Sequence, residues 1–182
     1  GFYDTGIRER MVRQKELENH FEEAVSQRQF EVYYQPKYDV KGGRFYGAEA
    51  LVRWNSPVEG MIPPGVLVPV FESNSMIIRL DEYIFEQVCR QIRQWLDRGF
   101  AVQPVSVNIS RLHLYQKGFV ERYLDLIRRW HVPPGLVELE LTETVMFDNE
   151  ELLGETLQGF RREGVPILMD DFGSGYSSIQ LL

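Results

Sequence analysis

The chain has 182 residues, of which 43% are hydrophobic and 26% are charged, as is ordinary for a soluble globular protein. Its net charge of −7 and pI of about 5.1 argue against a general binder of nucleic-acid polymers, which would carry a basic face. One cysteine excludes an internal disulfide, and no run is apolar enough to span a bilayer. We therefore expect a cytoplasmic segment without membrane contact of its own, either alone or as part of a larger sensor protein.

Residues 1–29 are predicted to form a polar linker helix that leads in from a preceding domain. Charged side chains dominate from about residue 7 onward. The later half carries an apolar stripe at helical spacing, formed by Leu17, Phe21, Ala24 and Val25. A solvated terminal helix remains the alternative on composition. The main domain is expected to span residues 30–182.

Two strands are predicted next, and the short turn between them makes them antiparallel. The first covers residues 30–35 and is expected to stop at Pro36, and the second covers residues 45–54. Glu49, Leu51 and Arg53 share one face of the second strand. Burying a carboxylate and a guanidinium is costly unless each has a partner. Two interpretations stay open: a mutual salt bridge, or a metal ligand beside an arginine that binds phosphate or carboxylate.

Strands and helices then alternate along the chain. Asp81 is expected to cap a helix that runs to Arg98, and later helices are predicted near residues 119–130 and 151–163. Strands are predicted at residues 105–108, at 137–141 with a continuation into residues 142 and 143, and at 165–170. Asn108, Glu140 and Asp170 lie in the last part of these strands, 32 and 30 positions apart. This period predicts right-handed parallel units of a (β/α) barrel with an acidic mouth, although about five strands cannot close one.

Glu138 and Glu140 occupy the same face of one predicted strand. Side by side, two carboxylates repel each other unless a cation or a basic group lies between them. The sequence therefore predicts a positive partner at this position, without identifying it.

The apolar run at residues 167–169 stops at Asp170 and Asp171, and a Gly-x-Gly follows at residues 173–175. A strand-to-helix loop with an aspartate as N-cap is one interpretation. The other is a metal site, for which the sequence offers five oxygen donors: Glu49, Asn108, Glu140, Asp170 and Asp171. The three histidines have no ligand spacing, so this set favours Mg²⁺ or Mn²⁺. The residues alone indicate a metal-dependent enzyme that acts on a phosphate or an enolate.

Five motifs in order resemble the bacterial EAL domain, the cyclic di-GMP phosphodiesterase family. They stand at residues 34–36 (YQP), 49–54 (EALVRW), 106–110 (SVNIS), 138–143 (ELELTE) and 170–178 (DDFGSGYSS). The resemblance covers about residues 30–182 and implies a TIM-like barrel with an antiparallel first strand. It implies metal-dependent hydrolysis of cyclic di-GMP to linear pGpG in bacterial second-messenger signalling. The alternative is an inactive module that binds the dinucleotide or regulates another domain.

The resemblance also implies a role for each matching residue. Glu49, Asn108, Glu140 and Asp170 match the ligands of one metal, and Asp170 with Asp171 match those that serve a second. Glu49, Asp170 and Asp171 are the implied catalytic residues. The dinucleotide would be held by Gln35, Leu51 and Arg53, with Arg53 at a phosphate. Glu143 matches a glutamate that steadies the loop after the fifth strand, which the family uses in dimerisation and regulation.

The family also uses a lysine, a glutamate and a glutamine from later strands, and this chain stops at Leu182 before all three. It is therefore expected to be a C-terminally truncated EAL domain that is inactive as these 182 residues alone. The edge of the strand ending at Asp170 is expected to be unpaired. The lead-in at residues 2–4 resembles the junction after a GGDEF (diguanylate cyclase-like) domain. Expected partners are cyclic di-GMP, that preceding domain and a second copy of the chain.

Overall fold

The computed structural model describes residues 2–142, 150–170 and 179–180. Helices and strands alternate through most of this part of the chain. The helices are α1 (Phe2–Ser26), α2 (Pro64–Ser73), α3 (Met76–Asp97), α4 (Phe119–Arg129) and α5 (Glu150–Arg162), with 3-10 turns at Arg111–Tyr115 and Pro134–Leu136. The strands are β1 (Phe30–Tyr38), β2 (Phe45–Ser56), β3 (Gly60–Ile62), β4 (Val105–Asn108), β5 (Val137–Thr142), β6 (Ile167–Asp170) and β7 (Ile179–Gln180).

The sheet has the order β1-β2-β4-β5-β6-β7, and β3 pairs with β2 outside this path. β2, β4, β5 and β6 run parallel, while β1 is antiparallel to β2. This is the mixed α/β fold that the repeat of strands and helices predicted. It is an incomplete barrel of the TIM type with an antiparallel first strand.

β1 continues through Pro36 to Tyr38, so the prediction that it stops at Pro36 is wrong. The antiparallel register places Gln35 opposite Glu49, Pro36 opposite Ala48 and Lys37 opposite Gly47. Proline is tolerated in an edge strand because its missing N–H can face away from the ladder. The three extra residues, 36–38, continue the strand, so that Lys37 lies on the same face as Gln35.

β6 is not left unpaired along its whole outer edge, contrary to expectation. β7 pairs antiparallel with it and joins Leu168 to Gln180 and Met169 to Ile179. This pairing satisfies backbone groups that an open edge would expose.

The two faces of the sheet differ in polarity. The outer face packs against the helices through buried apolar side chains, among them Ala50, Trp54, Val105, Val107, Leu139, Leu141 and Met169. Because side chains alternate along a strand, the residues between these point to the inner face. That face carries Gln35, Lys37, Glu49, Ser106, Asn108, Glu138 and Glu140, the polar set from which a barrel mouth is built.

α1 joins the core through its second half. Leu17, Phe21 and Ala24 are buried, and the Phe21 ring centroid lies 5.0 Å from that of Phe71 in α2. The predicted apolar stripe therefore exists and fastens the end of this helix to the domain. Among the helices of the described ranges, none combines the length and the apolar character that crossing a bilayer requires.

α3 begins at Met76, so Asp81 does not cap it as predicted. Asp81 lies in the second turn and is buried, with only 8% of its surface exposed. An aspartate there is unusual because burying a charge is costly without partners. Its partners are found beside the end of β4.

Candidate active site

The neighbouring parallel strands β2, β4 and β5 bring three of the predicted ligands to adjacent positions. Glu49 pairs in register with Ser106, and Asn108 at the last position of β4 pairs with Glu140. All four residues face inward. The backbone N–H of Ile109 donates to the Glu140 carbonyl at 2.9 Å, which continues the ladder past the end of β4.

Glu49 and Asn108 are in direct contact. Asn108 Nδ2 donates to Glu49 Oε1 at 2.7 Å. With the amide nitrogen turned toward the carboxylate, Asn108 Oδ1 is the atom that would face a cation. The contact therefore places two oxygen-bearing side chains next to each other, and oxygen donors are what magnesium and manganese prefer.

Glu140 is held by a lysine that the sequence interpretation did not assign. Lys37 Nζ donates to Glu140 Oε1 at 2.5 Å and to Ser106 Oγ at 2.7 Å. The exposed fractions of the Lys37 and Glu140 side chains are 22% and 9%, so the ion pair is largely shielded from solvent. Lys37 pairs at the level of Gly47 and reaches Glu140 from the amino-terminal side of the parallel strands.

Lys37 is the cation that the pair of glutamates requires. Burial raises the pKa of Glu138, the Lys37 ammonium lowers it, and the Glu140 carboxylate raises it. The paired glutamates predict a positive partner, and the two-residue spacing from Gln35 to Lys37 identifies it once β1 is known to continue past Pro36.

The predicted substrate residues lie along the same face. Gln35 is exposed opposite Glu49, and Leu51 is half-buried opposite Tyr33. Arg53 Nη1 donates to the Val52 carbonyl at 2.8 Å, and its guanidinium lies 6.0 Å from the centroid of the Tyr33 ring. These two contacts orient the Arg53 guanidinium. Neither is the salt bridge between Arg53 and Glu49 that one of the two interpretations of the sequence proposed.

Three predicted residues are described in part or not at all. Asp170 ends β6, where its backbone pairs with Thr142, but its side chain is outside the described part of the chain. Asp171 and Glu143 also lie outside the described residues. Within residues 2–142, 150–170 and 179–180, no three Asp, Glu, His or Cys side chains form a group close enough to hold a metal ion. The predicted ligands whose side chains the structure describes are the Glu49 and Glu140 carboxylates and the Asn108 amide. Oxygen donors of this kind suit a hard divalent cation.

Fold and inner face together define a class: an incomplete (β/α) barrel with acidic and amide side chains at the carboxyl ends of its parallel strands. Sites in such barrels lie at this end. The sequence profile of the EAL domain matches residues 18–182. The chain belongs to the EAL domain family.

Two curated relatives and one solved structure illustrate the similarity. The chain is 33% identical over 181 residues to the bifunctional diguanylate cyclase/cyclic di-GMP phosphodiesterase MucR of Pseudomonas aeruginosa, covering 100% of this chain and 26% of MucR. It is 32% identical over 166 residues to the cyclic di-GMP phosphodiesterase PdeR of Escherichia coli, covering 91% of this chain and 25% of PdeR. The PaMucR phosphodiesterase in complex with c-di-GMP superposes with a TM-score of 0.82 and 35% identity, over 90% of this chain and 66% of that one.

The chain thus spans about a quarter of the length of these two curated relatives. The similarity establishes the family and the fold of this segment. The activity, substrate and partners of the whole protein belong to the proposal that follows.

Proposed function

We propose that this chain forms part of a phosphodiesterase domain that hydrolyses cyclic di-GMP to linear pGpG with Mg²⁺ or Mn²⁺. The observation that carries the proposal is the contact between Glu49 and Asn108, in register with Glu140, at the mouth of an EAL barrel. The names of MucR and PdeR and the c-di-GMP complex of PaMucR support the choice of substrate.

Glu49, Asn108, Glu140 and Asp170 are the proposed ligands of one ion, and Asp170 with Asp171 would serve a second. When bound by these residues, a divalent ion would supply orientation of the attacking water and stabilisation of negative charge on a phosphate. Contacts among the chain's own residues orient the proposed ligands. Asn108 orients the Glu49 carboxylate through its amide N–H, while Lys37 binds one oxygen of the Glu140 carboxylate.

Gln35, Leu51 and Arg53 are proposed to bind the dinucleotide, with Arg53 at a phosphate. Arg53 suits this role because a guanidinium gives planar, charge-assisted hydrogen bonds to phosphate oxygens. In the reaction a water oxygen bonds to phosphorus, the bond from phosphorus to the 3′ oxygen breaks, and that oxygen gains a proton. Glu49, Asp170 and Asp171 are the proposed catalytic residues, and Glu143 is proposed to steady the loop after β6.

The setting of the domain is part of the proposal. Residues 1–29 would link it to a GGDEF-like domain, as the bifunctional cyclase and phosphodiesterase MucR favours. We also propose that the protein forms a homodimer and is cytoplasmic, and both proposals rest on the family resemblance.

The test is Glu49→Ala in the full-length protein. Glu49 lies at the rim of the site, so its loss should remove a metal ligand without emptying the core. We expect pGpG production with Mn²⁺, measured by chromatography, to fall by at least a hundredfold, with far-ultraviolet circular dichroism unchanged. Glu155→Gln, on the exposed face of α5, is the control and should retain activity.

Unchanged turnover in Glu49→Ala would contradict the assignment of Glu49 as a ligand. A wild-type protein that binds cyclic di-GMP in calorimetry but releases no pGpG would instead support the alternative, a binding or regulatory module.

A further inference from the structure

Two helices hold the turn that follows Asn108. The backbone N–H of Ser110 donates to Asp81 Oδ2 in α3 at 2.8 Å. The Ser110 hydroxyl donates to Glu72 Oε1 in α2, also at 2.8 Å. Ser110 is only two residues beyond Asn108, so these bonds fix the main chain next to a proposed metal ligand.

The opposite side of the turn is fixed by the sheet. Asn108 pairs with Glu140, and the buried Ile109 donates its N–H to the Glu140 carbonyl. The turn is therefore held from two sides, by Asp81 of α3 through the Ser110 N–H and by Glu140 of β5 through the Ile109 N–H. We call this arrangement the clamp.

A cavity of about 270 Å³ adjoins the clamp, lined among others by Leu51, Asp81, Asn108 and Ser110. This cavity is partly open to solvent, and it offers space into which the turn can move when Asp81 no longer holds it. A small shift of Asn108 would break its 2.7 Å contact with Glu49.

Burying the Asp81 carboxyl group costs free energy that an apolar side chain at this position would not cost. It lies on a helix face beside the buried Ile77, Leu80 and Ile84, and burial raises its pKa. Its Oδ2 also lies 3.2 Å from His113 Nε2, which is 3.3 Å from the Tyr123 hydroxyl. An apolar residue would pack at this position, but only an acceptor can bind the Ser110 N–H.

We propose that Asp81 is a positioning residue for the metal site: through the Ser110 backbone it places Asn108 beside Glu49. This inference rests on the proposed function. Asp81 acts by restricting the turn at residues 108–110 through its bond to the Ser110 N–H.

The experiment compares Asp81→Ala with Asp81→Asn in the full-length protein. The asparagine keeps one carbonyl oxygen for the Ser110 N–H, whereas the alanine leaves that donor without its acceptor. Calorimetry with Mn²⁺ alone should show affinity weakened roughly ten- to a hundredfold in Asp81→Ala, as for other residues that orient ligands. Asp81→Asn should stay within about threefold of wild type on the same argument. If the alanine variant does not fold, Asp81→Leu, which removes the acceptor but keeps a side chain of similar shape, replaces it.

Tyr123→Phe is the matched control because it removes the hydroxyl at the far end of the same buried network. It should lower the unfolding midpoint and leave Mn²⁺ affinity unchanged. A folded Asp81→Ala with wild-type affinity would overturn the proposal, and so would an equal loss of affinity in Tyr123→Phe.

Amide hydrogen exchange of residues 105–112 provides a readout that does not depend on metal or activity. It should accelerate in Asp81→Ala and not in Asp81→Asn. If the wild type binds no Mn²⁺ yet the exchange pattern appears, the proposed function fails while the clamp stands. Unchanged exchange in the alanine variant would overturn the clamp itself.

Discussion

Lys37 explains how the inner face tolerates two glutamates on one strand. Its ammonium bonds to Glu140 Oε1 and lowers the pKa of Glu138, which burial raises. We expect Lys37→Met to lower the free energy of unfolding by about 2 kcal/mol at pH 8, the size of one hydrogen bond to a charged group. Urea denaturation of the full-length protein measures it, with Lys41→Met in the exposed turn as a control that should change little.

The pH dependence of this variant has a definite sign. Without Lys37 the pKa of Glu138 rises further, so the folded state keeps a proton that the unfolded chain has already lost. Such a carboxyl group contributes to stability at low pH and loses that contribution as pH rises through its folded pKa. The destabilisation by Lys37→Met should therefore be larger at pH 8 than at pH 5. An equal or smaller effect at pH 8 would contradict the assigned role of Lys37.

Gly47 determines how closely two strands approach, at the scale of the element. A Cβ atom there would lie 2.8 Å from the Pro104 carbonyl oxygen, which also accepts the Ala48 N–H at 3.0 Å. Because this neighbour is backbone held by a hydrogen bond, Gly47→Ala should destabilise the protein by about 1–3 kcal/mol, as overpacking does. Gly65→Ala in α2, where an added Cβ meets no described atom within 4 Å, should be neutral or stabilising. Similar thermal midpoints for the two variants would refute this account of the β2–β4 contact.

The sequence predicted elements best where several signals agreed. β4 has the expected bounds and β5 extends one residue beyond Leu141, because short β-branched or apolar runs stand between helices at a regular period. Two predictions were wrong, the strand end at Pro36 and the helix cap at Asp81, and each has its own physical reason. Pro36 was read as a stop although an edge strand tolerates proline, and Asp81 was read as a cap although tertiary hydrogen bonds stabilise it inside α3.

At the scale of the whole molecule, the sequence could place Glu49, Asn108 and Glu140 on one face, because alternation and parallel strands dictate it. It could not predict the bond between Lys37 and Glu140, which joins residues 103 positions apart across the inside of the curved sheet. Nor could it predict that Asp81 would reach the turn after β4. Contacts of this kind depend on how the elements pack.

The central claim is that the barrel mouth holds a divalent ion through Glu49, Asn108, Glu140 and Asp170. Anomalous X-ray scattering at the manganese edge, from crystals of the full-length protein grown with Mn²⁺, tests it most directly. We predict a peak with oxygens of these four side chains at roughly 2.1 Å, the range of small octahedral cations. A peak elsewhere, or none at saturating Mn²⁺ in a protein that still produces pGpG, would contradict it.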